Sequence, residues 1–148
     1  MTKGDRALND IASHPEIQMV TFFLNGEEYG LDVMKVREII CLPEITKTVN
    51  SPHYVAGMID LRGNIVPVIS LRKRLCLPDA PNEDDSLVAV MDFSGSLVGY
   101  IVDDISEVIR VKRDDIKPPV VNSDQSWISG ILHLGEKLVI VMNLEQLG

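Results

Sequence analysis

The chain has 148 residues, 45% of them hydrophobic, only 5% aromatic and 24% charged, which is enough for one compact domain, or two very small ones sharing a core of Val, Ile, Leu and Met. A formal net charge of −8 argues against nucleic-acid backbones, which need a concentrated basic surface. No apolar stretch approaches the roughly 18 residues of a membrane helix, and the opening MTKGDRALNDIASHPE has no apolar centre of the secretory kind.

Taken in chain order, residues 1–16 read as a mobile tail. The segment VTFFLNGEEYGLDVMKVREII (20–40) then carries Asn25-Gly26, a strong hairpin signal because both central residues of a type I′ turn need positive φ. Its second half, LDVMKVREII, could form an amphipathic helix with Val33, Val36 and Ile40 at i, i+3 and i+7. It is short for that, follows Gly30 and stops before Pro43, so the better reading is a strand kinked near Met34. In GMIDLRGNIVPVISLRKRL (57–75), Gly63-Asn64 suits a II′ turn. Pro67, lacking an N–H, belongs on an edge strand or at a bulge, leaving a sheet margin to be covered, blunted or used by a partner. Arg62 lies at the mouth of that hairpin, with Glu38 as a reasonable mate. The stretch LCLPDAPNEDDS (75–86) reads as a surface connection, and IKPPVVNSDQS (116–126) as a second loop. Helical turns are few, at 52–55, at 70–75 and from Asn143.

The chain says the same thing twice. A shift of 69 residues lays 20–40 on AVMDFSGSLVGYIVDDISEVI (89–109), matching Gly26 with Gly95, Gly30 with Gly99, Val36 with Ile105 and Glu38 with Glu107. A shift of 73 lays 57–71 on GILHLGEKLVIVMNL (130–144), matching Gly57 with Gly130, Ile65 with Leu138 and Leu71 with Leu144. About ten short strands with turn signals throughout predict an all-β fold. Two packed five-stranded barrels, roughly 17–80 and 86–148 within a domain spanning 17–148, are the natural architecture, with a strand exchange between them left open.

Catalytic chemistry finds no convergent set. His14 lies in the tail, His53 beside Pro52 and His133 on a strand face, and no metal, nucleotide or nucleophile-elbow motif is present. The acid pairs Asp84-Asp85, Asp103-Asp104 and Asp114-Asp115 read as solvated, since neighbours on a strand point to opposite faces. Cys41 and Cys76 lack ligand spacing and read as two reduced cysteines. A small β-barrel binding single-stranded nucleic acid is the other class considered, but Trp127 and the scattered tyrosines make no basic platform.

The segments GEEYGLDVMKVREII, GMIDLRGNIVPVISLRKRL, VGYIVDDISEVI and ISGILHLGEKLVIVMNLEQL resemble the CheW family of bacterial chemotaxis coupling proteins, from about residue 17 onward. The resemblance implies two SH3-like β-barrels without cofactor or catalysis. It implies a cytoplasmic scaffold linking chemoreceptors to the regulatory domain of the histidine kinase CheA in membrane-associated arrays, with related domains packing in rings and no membrane insertion of its own. The groove between the barrels would receive the receptor's helical tip. By position, Val36 and Ile39 match one wall of that groove, and Leu87, Ile105 and Val108 the other; Glu38, Gly57 and Arg62 match positions tied to receptor or kinase coupling. Relatives often carry Asn before LRG and Asp before the next LR, where this chain has Asp60 and Ser70; Asp60 beside Arg62 suggests a rearranged ion pair. A CheW-like module of another chemosensory pathway, or a detached regulatory domain of a kinase or of a CheW–receiver fusion, fits the same motifs.

Overall fold

The computed structural model describes residues 16–81, 85–119 and 127–146; the expected N-terminal tail up to residue 15, part of the 75–86 connection and most of the 116–126 loop lie outside them. The described chain is mostly strand, as expected: β1 (Glu16–Leu24), β2 (Glu27–Asp32), β3 (Val36–Cys41), β4 (Val55–Leu61), β5 (Asn64–Ser70), β6 (Leu87–Phe93), β7 (Ser96–Val102), β8 (Asp104–Lys112), β9 (Ile116–Lys117), β10 (Ile128–Leu134) and β11 (Lys137–Met142). LDVMKVREII is indeed strand, kink, strand. A 3-10 turn at Val33–Lys35, capped by the Asp32 carboxylate accepting from the Met34 amide, separates β2 from β3.

Two sheets form, in the orders β8-β1-β2-β11-β10-β9 and β3-β6-β7-β5-β4. The first lobe thus combines β1 and β2 with β8, β9, β10 and β11, while the second takes the consecutive strands β3 to β7. The strands are therefore not shared out as 17–80 and 86–148. Each parallel contact joins strands from opposite halves of the repeat, β2 with β11 and β5 with β7. Gly30 and Gly99 sit at equivalent points of those contacts, opposite Val141 and Val68. A Cβ on Gly99 would lie 2.8 Å from Val88, and one on Gly30 2.9 Å from the Met19 sulfur, so both positions need the bare backbone for close approach.

Three apolar clusters result. Ile59, Leu61, Val66, Val68, Val88 and Val90 fill the second lobe, and Met19, Val111, Leu132, Val139 and Val141 fill the first. The largest lies between the lobes and draws on both, including Val20, Phe22, Leu24, Leu31, Leu71, Met91, Tyr100 and Leu144. Strand β6 shows why it is apolar on both faces: Val88 and Val90 enter the lobe core while Ala89 and Met91 enter the seam.

Two local expectations are corrected. Leu61 pairs with Asn64, so the turn is Arg62-Gly63, with φ of 51° and 89°, a type I′ geometry rather than a II′ turn at Gly63-Asn64. The Asp60 carboxylate accepts from the Gly63 amide at 2.8 Å and secures it. Pro67 is on an inner strand, since β5 lies between β7 and β4. Met58, opposite Pro67, directs both its N–H and its C=O to Thr46 on the far side. The Pro67 nitrogen therefore points away from β4 toward β7, where the parallel ladder begins only at Val68. In the other lobe the equivalent Ile140 lies inside the ladder, which starts at Val139. Proline is tolerated because the ladder begins one residue past it.

Gly57 has a φ of 149°, and a Cβ there would stand 2.2 Å from the Thr46 carbonyl oxygen, on the backbone bridge that covers the margin of β4. Gly57→Ala is expected to destabilise the protein by about 2–4 kcal/mol in urea unfolding. Gly26→Ala, with open space around it at a φ of 81°, should cost only about 1 kcal/mol for the left-handed backbone.

Candidate functional site

Edge strands β3 and β8 occupy equivalent places in the two lobes, and both carry a bulge. Arg37 is skipped between Val36↔Met91 and Glu38↔Val90; Ser106 is skipped between Phe22↔Ile105 and Thr21↔Glu107. A regular strand would send residues i and i+3 to opposite faces, and one bulged residue restores them to the same face. Val36 and Ile39 thereby lie opposite Met91 and Ala89, and Ile105 and Val108 lie opposite Phe22 and Val20. Those four partners all belong to the seam, and directly opposed residues share a face. Leu87 has the same parity as Ala89 and Met91 on β6.

The five groove candidates are therefore brought to the seam side. Val36, Ile39, Leu87 and Ile105 are half-buried against the seam core, and Val108 is 59% exposed. The space between the lobes is not an open channel, because side chains of both lobes fill its depth. What remains is an apolar margin running along two edge strands.

The coupling candidates sit on the other side of β3. Glu38 lies opposite Val90, a residue of the second lobe's core. The Arg62 guanidinium donates to the Glu38 carboxylate, with the Arg62 side chain 66% exposed. β3 and β4 are the two edges of the five-stranded sheet, and Arg62 tips the hairpin that β4 begins. This ion pair therefore joins opposite edges and marks the roll of the sheet into a barrel. The rearranged pairing suggested for Asp60 does not occur, since that carboxylate caps the turn. Ser70 likewise caps the helix Leu71–Arg74, accepting from the Lys73 amide. Gly57 contributes close backbone approach and no functional group.

Two clusters were missed in the sequence. Lys137 donates to both oxygens of Glu28, a carboxylate only 8% exposed, and reaches Glu107 at 3.5 Å. The Glu28 hydrogen bond raises the Lys137 pKa against the opposing effect of desolvation, with help from both carboxylate charges. Since Glu107 is the repeat partner of Glu38, each lobe ties its bulged edge strand to the next hairpin with a cation. The second cluster is Arg72 with Asp103, a two-point pair at 2.8 and 2.6 Å. Arg72 also donates to the Pro78 carbonyl, and Asp103 accepts from the Asn25 amide, each at 2.8 Å. The repeat held a signal for the first cluster, since it pairs Glu107 with Glu38. For the second, the Asp103-Asp104 doublet read as solvated.

Burial pushes the Tyr29 and Tyr100 hydroxyls up to about 12, away from the range a catalyst uses near neutrality. Among the described residues no group of three or more His, Cys, Asp or Glu could hold a metal ion, and no helix is long and apolar enough to cross a membrane. His133 and His53 are exposed, and Cys41 and Cys76 are exposed free thiols.

Comparison with known proteins gives a consistent picture. Residues 18–148 match the family profile described as CheW-like domain. A chemotaxis protein CheW of Treponema pallidum is 33% identical, with 95% of this chain and 85% of that protein covered. One from Klebsiella aerogenes is 32% identical, covering 88% and 80%. The crystal structure of the scaffolding protein TtCheW from Thermoanaerobacter tengcongensis superposes with a TM-score of 0.81 at 35% identity, covering 88% of this chain and 91% of that one.

The Arg72–Asp103 pair carries a pH expectation. Burial alone would raise the Asp103 pKa, but the Arg72 hydrogen bonds, the Asn25 amide and the Arg72 charge outweigh it and hold the carboxyl below its ordinary value of 3.8. The stability this confers is present above pH 3.8 and is lost as pH falls through the folded-state value. Asp103→Asn should therefore be less stable than the parent at neutral pH, by about 1–3 kcal/mol. The gap should close in unfolding curves recorded progressively below pH 4.

Proposed function

This chain belongs to the family of CheW-like domains, and from that premise we propose that it is a non-enzymatic scaffold joining the helical tip of a chemoreceptor to the regulatory domain of a CheA-type histidine kinase. The observation that carries this reading is the shared seam face. Two bulges, one in each half of the repeat, turn Val36, Ile39, Ile105 and Val108 to one side, where Leu87 joins them. An aliphatic margin of this shape suits an amphipathic helix with anchors at i, i+3, i+4 and i+7. Half-buried aliphatic side chains with Val108 exposed beside them are in keeping with an interaction surface.

The kinase reads the neighbouring barrel surface around the Glu38–Arg62 pair, while Gly57, buried on β4, lets the Thr46 backbone pack closely there. Its regulatory domain is a related fold, so barrel packs on barrel and further CheW-like domains extend the ring. The scaffold works in the cytoplasm and is held at receptor arrays through these contacts, without inserting into the membrane. Nucleic acid is no part of this reading, because the net charge of −8 opposes phosphate binding.

Val36→Asp places a charge where the receptor helix would bury apolar surface. It is expected to weaken capture of a receptor cytoplasmic fragment by at least about 30-fold while the far-UV CD spectrum stays native; unchanged capture rejects the seam face as the docking site. Arg62→Ala should lower receptor-stimulated kinase activity in reconstituted arrays and leave the melting temperature nearly unchanged, because the pair it breaks is open to solvent. A large fall in melting temperature would make Arg62 a structural residue instead.

A further inference from the structure

The chain crosses between lobes twice, at Val33–Lys35 and at Asp103, and the repeat brings an equivalent tie to each crossing. After β5, the Ser70 amide donates to the Tyr54 carbonyl at 2.8 Å, Leu71 enters the seam and Arg72 follows. The shift of 73 residues finds the same device after β11: the Asn143 amide donates to the Trp127 carbonyl at 2.7 Å, Leu144 enters the seam and Glu145 follows. The residue after each buried leucine then reaches a crossing, Arg72 to Asp103 and Glu145 to Lys35. The signs of the charges are exchanged between the two ties.

The ties are chemically unequal. At one crossing the contacts measure 2.6 to 2.8 Å, the geometry is two-pronged, and the side chains are 12% and 23% exposed. At the other, Lys35 and Glu145 meet through one contact of 3.5 Å and are 43% and 46% exposed. Beneath them the buried Tyr100 hydroxyl reaches the Leu144 carbonyl at 3.4 Å, a long separation for an O–H donor. A cleft of about 370 Å3 already opens on this side. Its walls are Met19, Leu31 and Met142 of the first lobe and Met91 and Phe93 of the second, with Lys35 at its rim.

We propose that the lobes swing about the Arg72–Asp103 crossing, and that Lys35–Glu145 is a clasp whose release widens this cleft. An exposed single-contact pair contributes little and is screened by salt, whereas a shielded two-point pair holds its geometry. Val36 follows Lys35 directly, so release shifts the start of β3, one border of the seam face. The hinge rests on contacts between the lobes and is independent of what docks on that face.

Thiol labelling of the full chain tests this. In a Cys41→Ser, Cys76→Ser background, the thiol introduced by Met91→Cys lines the cleft, and one introduced by Val66→Cys lies in the second lobe's own core. Glu145→Lys should speed labelling at the first position roughly threefold or more and leave the second unchanged. Adding Lys35→Glu to restore an opposite-charge pair should return the rate to the parent value. Acrylamide quenching of Trp127, the single tryptophan and a neighbour of the seam core, reads the same opening in chains with native cysteines and residue 91, should Met91→Cys fail to fold. The proposal is overturned if Glu145→Lys leaves both readouts unmoved, if it speeds both thiols equally, or if the charge-swapped double variant stays as open as the single one.

Discussion

The seam between the lobes is the contact on which the rest of the molecule depends. Each lobe has a small aliphatic core of its own, but the largest buried cluster belongs to neither, and Phe22, Tyr100, Leu71 and Leu144 lie in it. For a chain of 148 residues this is the most economical way to hide apolar surface. Strands β1 and β6 are each covered on both faces, so their side chains contribute twice to the interior. The parallel contacts between halves, β2 with β11 and β5 with β7, make the two halves of the repeat interdependent. Neither half of the repeat completes a sheet without strands of the other.

The proposed docking face is the uncovered margin of that seam. Strands β3 and β8 end their sheets, and an unpaired margin must be blunted or used. The bulges at Arg37 and Ser106 do both. They interrupt the regular ladder, and they bring aliphatic residues three apart to the same side. Glu38 and Glu107, the residues after the bulges, turn the other way and are held by Arg62 and Lys137. Thr21, fully buried at the second bulge, exchanges hydrogen bonds with both the amide and the carbonyl of Glu107, which fixes the distortion in place. A surface built this way offers shape and apolar area rather than reactive groups, in keeping with the scaffolding described for relatives of this family.

The repeat is symmetric in backbone and unequal in chemistry. Pro67 lies just outside one parallel ladder where its counterpart Ile140 lies within the other. Arg72 and Glu145 occupy matching places with opposite charge, and each pairs with a residue of the other sign at its crossing. Duplication supplied two copies of one framework, and side-chain differences then gave one crossing a shielded ion pair and the other an exposed one. Any division of labour between the lobes has to arise from such differences, since the frames themselves are alike.

Much of this was legible in the residues. Glycines at matching places, two nearly equal shifts and alternating apolar runs disclosed the duplication, the all-β class and the kink near Met34, because backbone freedom and side-chain period are local properties. The motifs of the family were readable for the same reason, whereas Glu38 was found as a mate for Arg62 only by its opposite charge. Sequence alone could not say which hairpin lies beside which, since an apolar strand is equally content in either sheet, and so it left a strand exchange between the lobes open. It misread Pro67 because an absent N–H reveals nothing about which neighbour it faces until register is settled. It took Asp103 for a solvated acid because Arg72 and the Asn25 amide approach from distant parts of the chain. Composition and pattern thus determined what kind of pieces this protein has. Only the folding of two halves around one seam decided which side chains meet, because meeting depends on long-range burial that no single segment encodes.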